Sequence, residues 1–208
     1  TDIVDDIYHQ QLNAGIDLIP VNDFSFYDRI LDLCCFLSVT PERFSQNVRP
    51  FFLDEYFRLA RGDGDIGAME MTKWFDTNYH YLVPEIEATT NPSFSDQLFA
   101  QQVLPELDSK KQKFCLIGPV TFLALAKSTE SVNKYSIKDG LTKAYTDLLK
   151  YIENLGYTNL QIEEPILGSD LSDQDKSFFS SFYSQLSGNL NPATKTHLVT
   201  YFGNIEDN

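Results

Sequence analysis

Five short apolar runs, each stopped by polar residues, Pro or Gly, set the rhythm of the chain: 17–21, 79–83, 114–117, 159–162 and 196–202. Asn22-Asp23 follows the first, Pro84-Glu85 the second, Gly118-Pro119 the third, Glu163-Glu164-Pro165 the fourth and Gly203 the last. Runs of this length rich in Ile, Val, Phe and Tyr read as β-strands, and the longer stretches between them carry apolar residues at helical spacing. The clearest helix covers 136–155, where Leu141, Tyr145, Leu148, Leu149 and Ile152 recur at threes and fours and Gly156 supplies a C-terminal stop. A second helix is expected over 25–37, entered through the capping residues Asn22 and Asp23. Segments 87–96 and 127–136, rich in Ser, Thr, Asn and Pro, read as loops.

Alternating strands and helices predict an α/β protein with a parallel sheet, which is built either as an open doubly wound sheet or as a closed (βα)8 TIM-type barrel. No Gly-x-Gly-x-x-Gly or Gly-x-x-x-x-Gly-Lys-Ser/Thr pattern follows a strand, which removes the usual nucleotide-binding signature of the open form and favours the barrel. A barrel needs eight strands. Five are visible, so the barrel is expected to be incomplete in this chain. A single domain over residues 1–208 is expected, with no repeat and no linker.

Composition narrows the partners. The net charge of −14 makes sequence-independent nucleic-acid binding and attraction to an anionic membrane implausible, because both need clustered Lys and Arg. There is no long apolar span and no basic leader, so a cytoplasmic location is expected. Cys34, Cys35 and Cys115 form neither a disulfide framework nor a Cys-x-x-Cys zinc motif and read as small core residues. His9, His80 and His197 lie in separate segments without metal-ligand spacing.

In parallel α/β folds, residues just beyond the C-terminal strand ends build the site. That rule selects Asn22, Asp23, Glu85, Thr121, Glu163, Glu164 and Tyr201. Glu163 and Glu164 are adjacent, and neighbours in a strand point to opposite faces. One of the pair is expected at the site as a base or ligand, and the other as a structural cap or ion-pair partner. The densest chemistry lies at 68–85, which holds the sole tryptophan, Trp74, beside Lys73 and a crowd of aromatic rings. If 66–75 is helical, Lys73 pairs with Glu70 one turn away; the alternative is a point charge offered to an anionic ligand.

Residues 70–85, Glu-Met-Thr-Lys-Trp-Phe-Asp-Thr-Asn-Tyr-His-Tyr-Leu-Val-Pro-Glu, closely resemble the signature of the N-terminal domain of cobalamin-independent methionine synthases. Four further stretches are similar and stand in the same order: 11–28, Gly118-Pro119-Val120-Thr121-Phe122-Leu123, Gln161-Ile162-Glu163-Glu164-Pro165-Ile166-Leu167 and Thr200-Tyr201-Phe202-Gly203. The resemblance implies two face-to-face (βα)8 barrels, of which this chain is most of the first, its strands being the second to the sixth. It implies methyl transfer from 5-methyltetrahydropteroyltri-L-glutamate to homocysteine in methionine biosynthesis. Zinc and the reacting thiolate belong to a C-terminal barrel absent here, so this chain is expected to bind no cofactor and to be inactive alone. Lys73 matches the family lysine that holds the folate's glutamate tail. Asn22, Asp23 and Glu163 are secondary candidates for substrate contact.

Two departures matter. The family's Arg-Glu-Leu-Lys motif after the first strand is missing, and Glu163 stands where the family usually has Asp. Two rival readings remain: a stand-alone, non-catalytic barrel that binds folate or a partner, and a uroporphyrinogen-decarboxylase-like or corrinoid-linked methyltransferase.

Overall fold

The structure, a computed structural model, describes residues 2–45, 52–99 and 108–205. In chain order the elements are α1 (Asp2–Asn13), β1 (Ile19–Val21), α2 (Arg29–Phe36), α3 (Phe52–Arg61), β2 (Met71–Lys73), β3 (His80–Leu82) and β4 (Glu85–Ile86). Then come α4 (Asp96–Phe99), β5 (Gln112–Ile117), α5 (Pro119–Leu125), β6 (Lys127–Ser128), α6 (Lys138–Asn154), β7 (Asn159–Glu163), α7 (Asp173–Asn189) and β8 (Lys195–Val199). They fall into two compact units, one of 1–24, 102–121 and 146–208 and the other of 25–101 and 122–145.

The first unit holds a four-stranded parallel sheet in the order β1-β5-β7-β8. β5 and β7 are its central strands, and their apolar residues are buried without alternation, from Phe114 to Ile117 and at Leu160 and Ile162. That is the signature of a strand covered on both faces, and it is why these runs read as continuous apolar sequence. β8 is an edge strand whose first four residues are exposed. Leu148, Leu149 and Ile152 of α6 and Phe178, Phe182 and Leu186 of α7 complete the core of this unit. Gly156, just past α6, has φ +95, the left-handed geometry of a helix stop.

In the second unit the strand expected over 79–83 does not join the parallel sheet. Its core, β3, pairs antiparallel with β2 in a hairpin that sets Lys73 opposite His80. The helix considered for 66–75 is absent, because α3 ends at Arg61 and Gly62 takes φ +77, so the chain turns out of helix before Glu70 is reached. Glu70 instead forms an ion pair with Lys127, 57 residues away, and not with Lys73. The helix expected over 25–37 starts later, at Arg29, because Asp28 rather than Asn22 or Asp23 is its N-cap, accepting from the Leu31 amide at 2.9 Å. The segment 127–136, read as loop, contributes β6, which pairs in parallel with β4.

The chain is therefore a mixed α/β protein with a parallel sheet. Four of the five expected strands enter that sheet and, among the described residues, no barrel closes.

Candidate functional site

The strand ends of the first unit gather most of the candidates. After β1 the chain turns sharply at Asn22, whose φ of +61 is left-handed and whose Nδ2 donates to the Cys115 carbonyl at 2.8 Å. Asn22 is 9% exposed and its Oδ1 is buried with no hydrogen-bond partner among the described residues. Asparagine tolerates this backbone region better than most residues, so the side chain stitches β1 to β5 as it makes the turn. Asp23 follows, exposed, on the rim of a cleft of about 140 Å³ between α1 and the end of β1.

At the end of β7 the two adjacent glutamates separate, as strand geometry requires. Glu164 is fully buried and caps α5: Oε1 accepts from the Val120 amide at 3.1 Å and Tyr183 Oη at 2.8 Å, and Oε2 from Thr121 N and Oγ1, each at 2.6 Å. Burial pushes its carboxyl up to about 7, against the pull of these donors. Gly118 is required here, since a Cβ at that position would lie 2.1 Å from the Glu164 Cδ. Glu163 is 7% exposed; its Oε1 accepts from Gln161 Nε2 at 3.0 Å and its Oε2 from Tyr201 Oη at 3.4 Å. Thr121 and Tyr183 thus gather on Glu164, and Gln161 and Tyr201 on Glu163, as two polar groups at the end of β7. They offer acceptors and hydroxyls and, among the described residues, no activated nucleophile.

Lys73 lies in the second unit, exposed at the end of β2, and makes no ion pair with a described residue. The turn after it is built rather than loose. The Trp74 amide donates to the Tyr79 carbonyl at 2.7 Å, Thr77 Oγ1 donates to the Trp74 carbonyl at 2.7 Å, and Phe75 takes φ +50. Trp74 is buried and meets Phe75, Tyr79 and Tyr81 edge-on at centroid distances of 5.2, 6.5 and 5.6 Å.

The remaining strand-end candidate, Glu85, is committed to structure. Arg43 holds it in a two-point pair at 2.5 and 2.8 Å and also donates to the Gly67 and Ala68 carbonyls. Beneath the hairpin two buried carboxylates escaped the sequence reading. Asp28 accepts from Leu31 N, Leu82 N and Tyr79 Oη, and Asp32 from Tyr56 Oη at 2.7 Å and Ser25 Oγ at 2.5 Å. Burial raises both, Asp32 to about 6. The sequence signal for Asp28 was its place directly before the apolar run of α2.

Among the described residues no three His, Cys, Asp or Glu side chains converge on a point that could hold a metal ion. His80 is exposed, with Nδ1 3.0 Å from the Asn78 carbonyl. No helix of the described residues is long and apolar enough to cross a membrane.

The profile of the family described as cobalamin-independent synthase, N-terminal domain, matches residues 1–208. The chain belongs to this family. Among its relatives, the 5-methyltetrahydropteroyltriglutamate–homocysteine methyltransferase of Flavobacterium johnsoniae is 40% identical over 97% of this chain and 27% of its own length. Those of Nitrosomonas europaea and Salinibacter ruber are 41% and 37% identical over 94% and 95% of this chain, which cover 26% and 27% of theirs. This cobalamin-independent synthase domain thus spans about a quarter of the length of the relatives it matches. Within it the signature stretch is the hairpin just described, and the Gln-Ile-Glu-Glu-Pro stretch is the end of β7 with its cap on α5.

Proposed function

We propose that this chain is the folate-tail-binding part of an enzyme that methylates homocysteine from 5-methyltetrahydropteroyltri-L-glutamate, in the cytoplasm, as a step of methionine biosynthesis. In this reading residues 1–208 are most of a TIM-type barrel that further chain closes, and a C-terminal barrel of the same enzyme is the partner that carries the reaction. In this reading zinc, which makes a thiol nucleophilic at neutral pH, is held in that C-terminal part. The 208 residues alone transfer no methyl group.

The observation that carries the reading is the placement of Lys73. Its ammonium is exposed, makes no ion pair with a described residue, and stands on a hairpin whose turn is tied by backbone and threonine hydrogen bonds. A cation presented in this way suits a carboxylate of the glutamate tail, a contact in which a rigid base limits the entropy lost on binding. Asn22, Asp23 and Glu163 are secondary contacts in this reading. Asn22 and Glu163 are buried and hydrogen-bonded within the fold, whereas Asp23 is exposed on the rim of its cleft.

Titration of triglutamyl against monoglutamyl folate on the full-length protein, with and without Lys73→Ala, tests the assignment. The substitution is expected to cost roughly 1–3 kcal/mol for the triglutamyl ligand and nothing for the monoglutamyl one. Equal loss for both ligands, or no loss for either, defeats it.

A further inference from the structure

Asp28 is used for more than a helix cap. Capping α2 needs one acceptor, which Oδ2 supplies to the Leu31 amide, and Ser, Thr or Asn would serve there equally well. Here a carboxylate that is 1% exposed, and costly to bury as a charge, also takes two donors from the hairpin. Its Oδ2 accepts from the Leu82 amide at 3.1 Å and its Oδ1 from the Tyr79 hydroxyl at 3.0 Å. Leu82 is the last residue of β3, and Tyr79 precedes its first residue, His80, which is in register with Lys73. Two attachment points along one strand fix its direction as well as its position. The Tyr79 carbonyl in turn receives the Trp74 amide, immediately after Lys73. A short chain of bonds therefore runs from the start of α2 through Asp28 and Tyr79 to the backbone that carries Lys73.

We propose that Asp28 is the positioning residue for Lys73, acting through the Tyr79 hydroxyl to set where the hairpin presents its ammonium. The proposal rests on Lys73 being the tail contact, and it adds that the preference for a long glutamate tail is set by a buried group that never touches the ligand. A flexible lysine can reach a carboxylate from many backbone positions; one held in place loses less freedom on binding.

The test uses the full-length protein and four forms: unsubstituted, Lys73→Ala, Tyr79→Phe and the double variant. Tyr79→Phe keeps the ring against Trp74 and leaves Asp28 on the α2 cap, and circular dichroism checks that the fold stands. The affinity for triglutamyl folate is expected to fall on the order of 3- to 10-fold in Tyr79→Phe, with monoglutamyl affinity unchanged. In the double variant the affinity is expected to be no lower than in Lys73→Ala, because a positioning effect has nothing left to position. If Lys73→Ala removes the tail preference and Tyr79→Phe leaves it intact, the positioning role is wrong and the tail contact stands. Losses that add fully in the double variant also overturn the role, since Tyr79 would then act on the ligand independently. If Lys73→Ala leaves the preference intact, both ideas fail together.

Discussion

Glu164 shows how much a single carboxylate can organise. Its four donors fill both oxygens, and two are backbone amides that can only donate. Glu164→Gln therefore has to turn an NH2 group toward a donor, and a loss of about 2 kcal/mol in urea unfolding is expected. The same variant has a pH signature. With the folded carboxyl at about 7 and the free one near its ordinary value of 4.5, only the folded state holds the proton between those limits. Stability therefore falls as pH rises through that window, by on the order of 1–3 kcal/mol, and Glu164→Gln should flatten the slope. Asp32, raised by burial to about 6, leaves a smaller slope of the same sign. Gly118→Ala approaches the same group from the other side. A Cβ placed 2.1 Å from Glu164 Cδ must displace the carboxylate from its donors, and a cost of about 2–4 kcal/mol is expected in the same assay.

Among the elements, β5, β7 and α6 were legible because their causes are local. Strands buried on both faces read as unbroken apolar runs, and α6 shows its buried stripe at threes and fours. The split between Glu163 and Glu164 was legible for the same reason, since it follows from strand alternation alone. The hairpin was not. Its pairing depends on partners that periodicity cannot reveal: Asp28 bonds Leu82 across 54 residues, Arg43 bonds Glu85 across 42, and Lys127 takes Glu70 from its local partner across 57. The helix stop after α6 was read correctly from its glycine. At φ +95, with Ser109 Oγ 2.9 Å from any added Cβ, Gly156→Ala is expected to lower stability by about 1–2 kcal/mol, read as a lower thermal midpoint.

For the molecule as a whole the edges of the parallel sheet decide behaviour. Among the described residues β1 and β8 each pair on one side only, and β8 exposes both of its faces, Leu198 among them. Unpaired strand edges with apolar side chains invite pairing between molecules. Expressed by itself, the 208-residue stretch is expected to self-associate, giving a light-scattering mass well above its 23.8 kDa. The same residues in a longer protein that supplies neighbouring strands should not. A monodisperse 23.8 kDa species would show that these edges are protected some other way.

Trp74 is the sole tryptophan among the 208 residues, and it sits buried beside Lys73, ringed by Phe75, Tyr79 and Tyr81. The chain thus carries an intrinsic fluorophore at the place where the tail is proposed to bind. Excited at its red edge, where the eleven tyrosines do not absorb, it emits from that hairpin and nowhere else in these residues. A shift in its emission maximum reports the hairpin's own packing, without a label and without turnover.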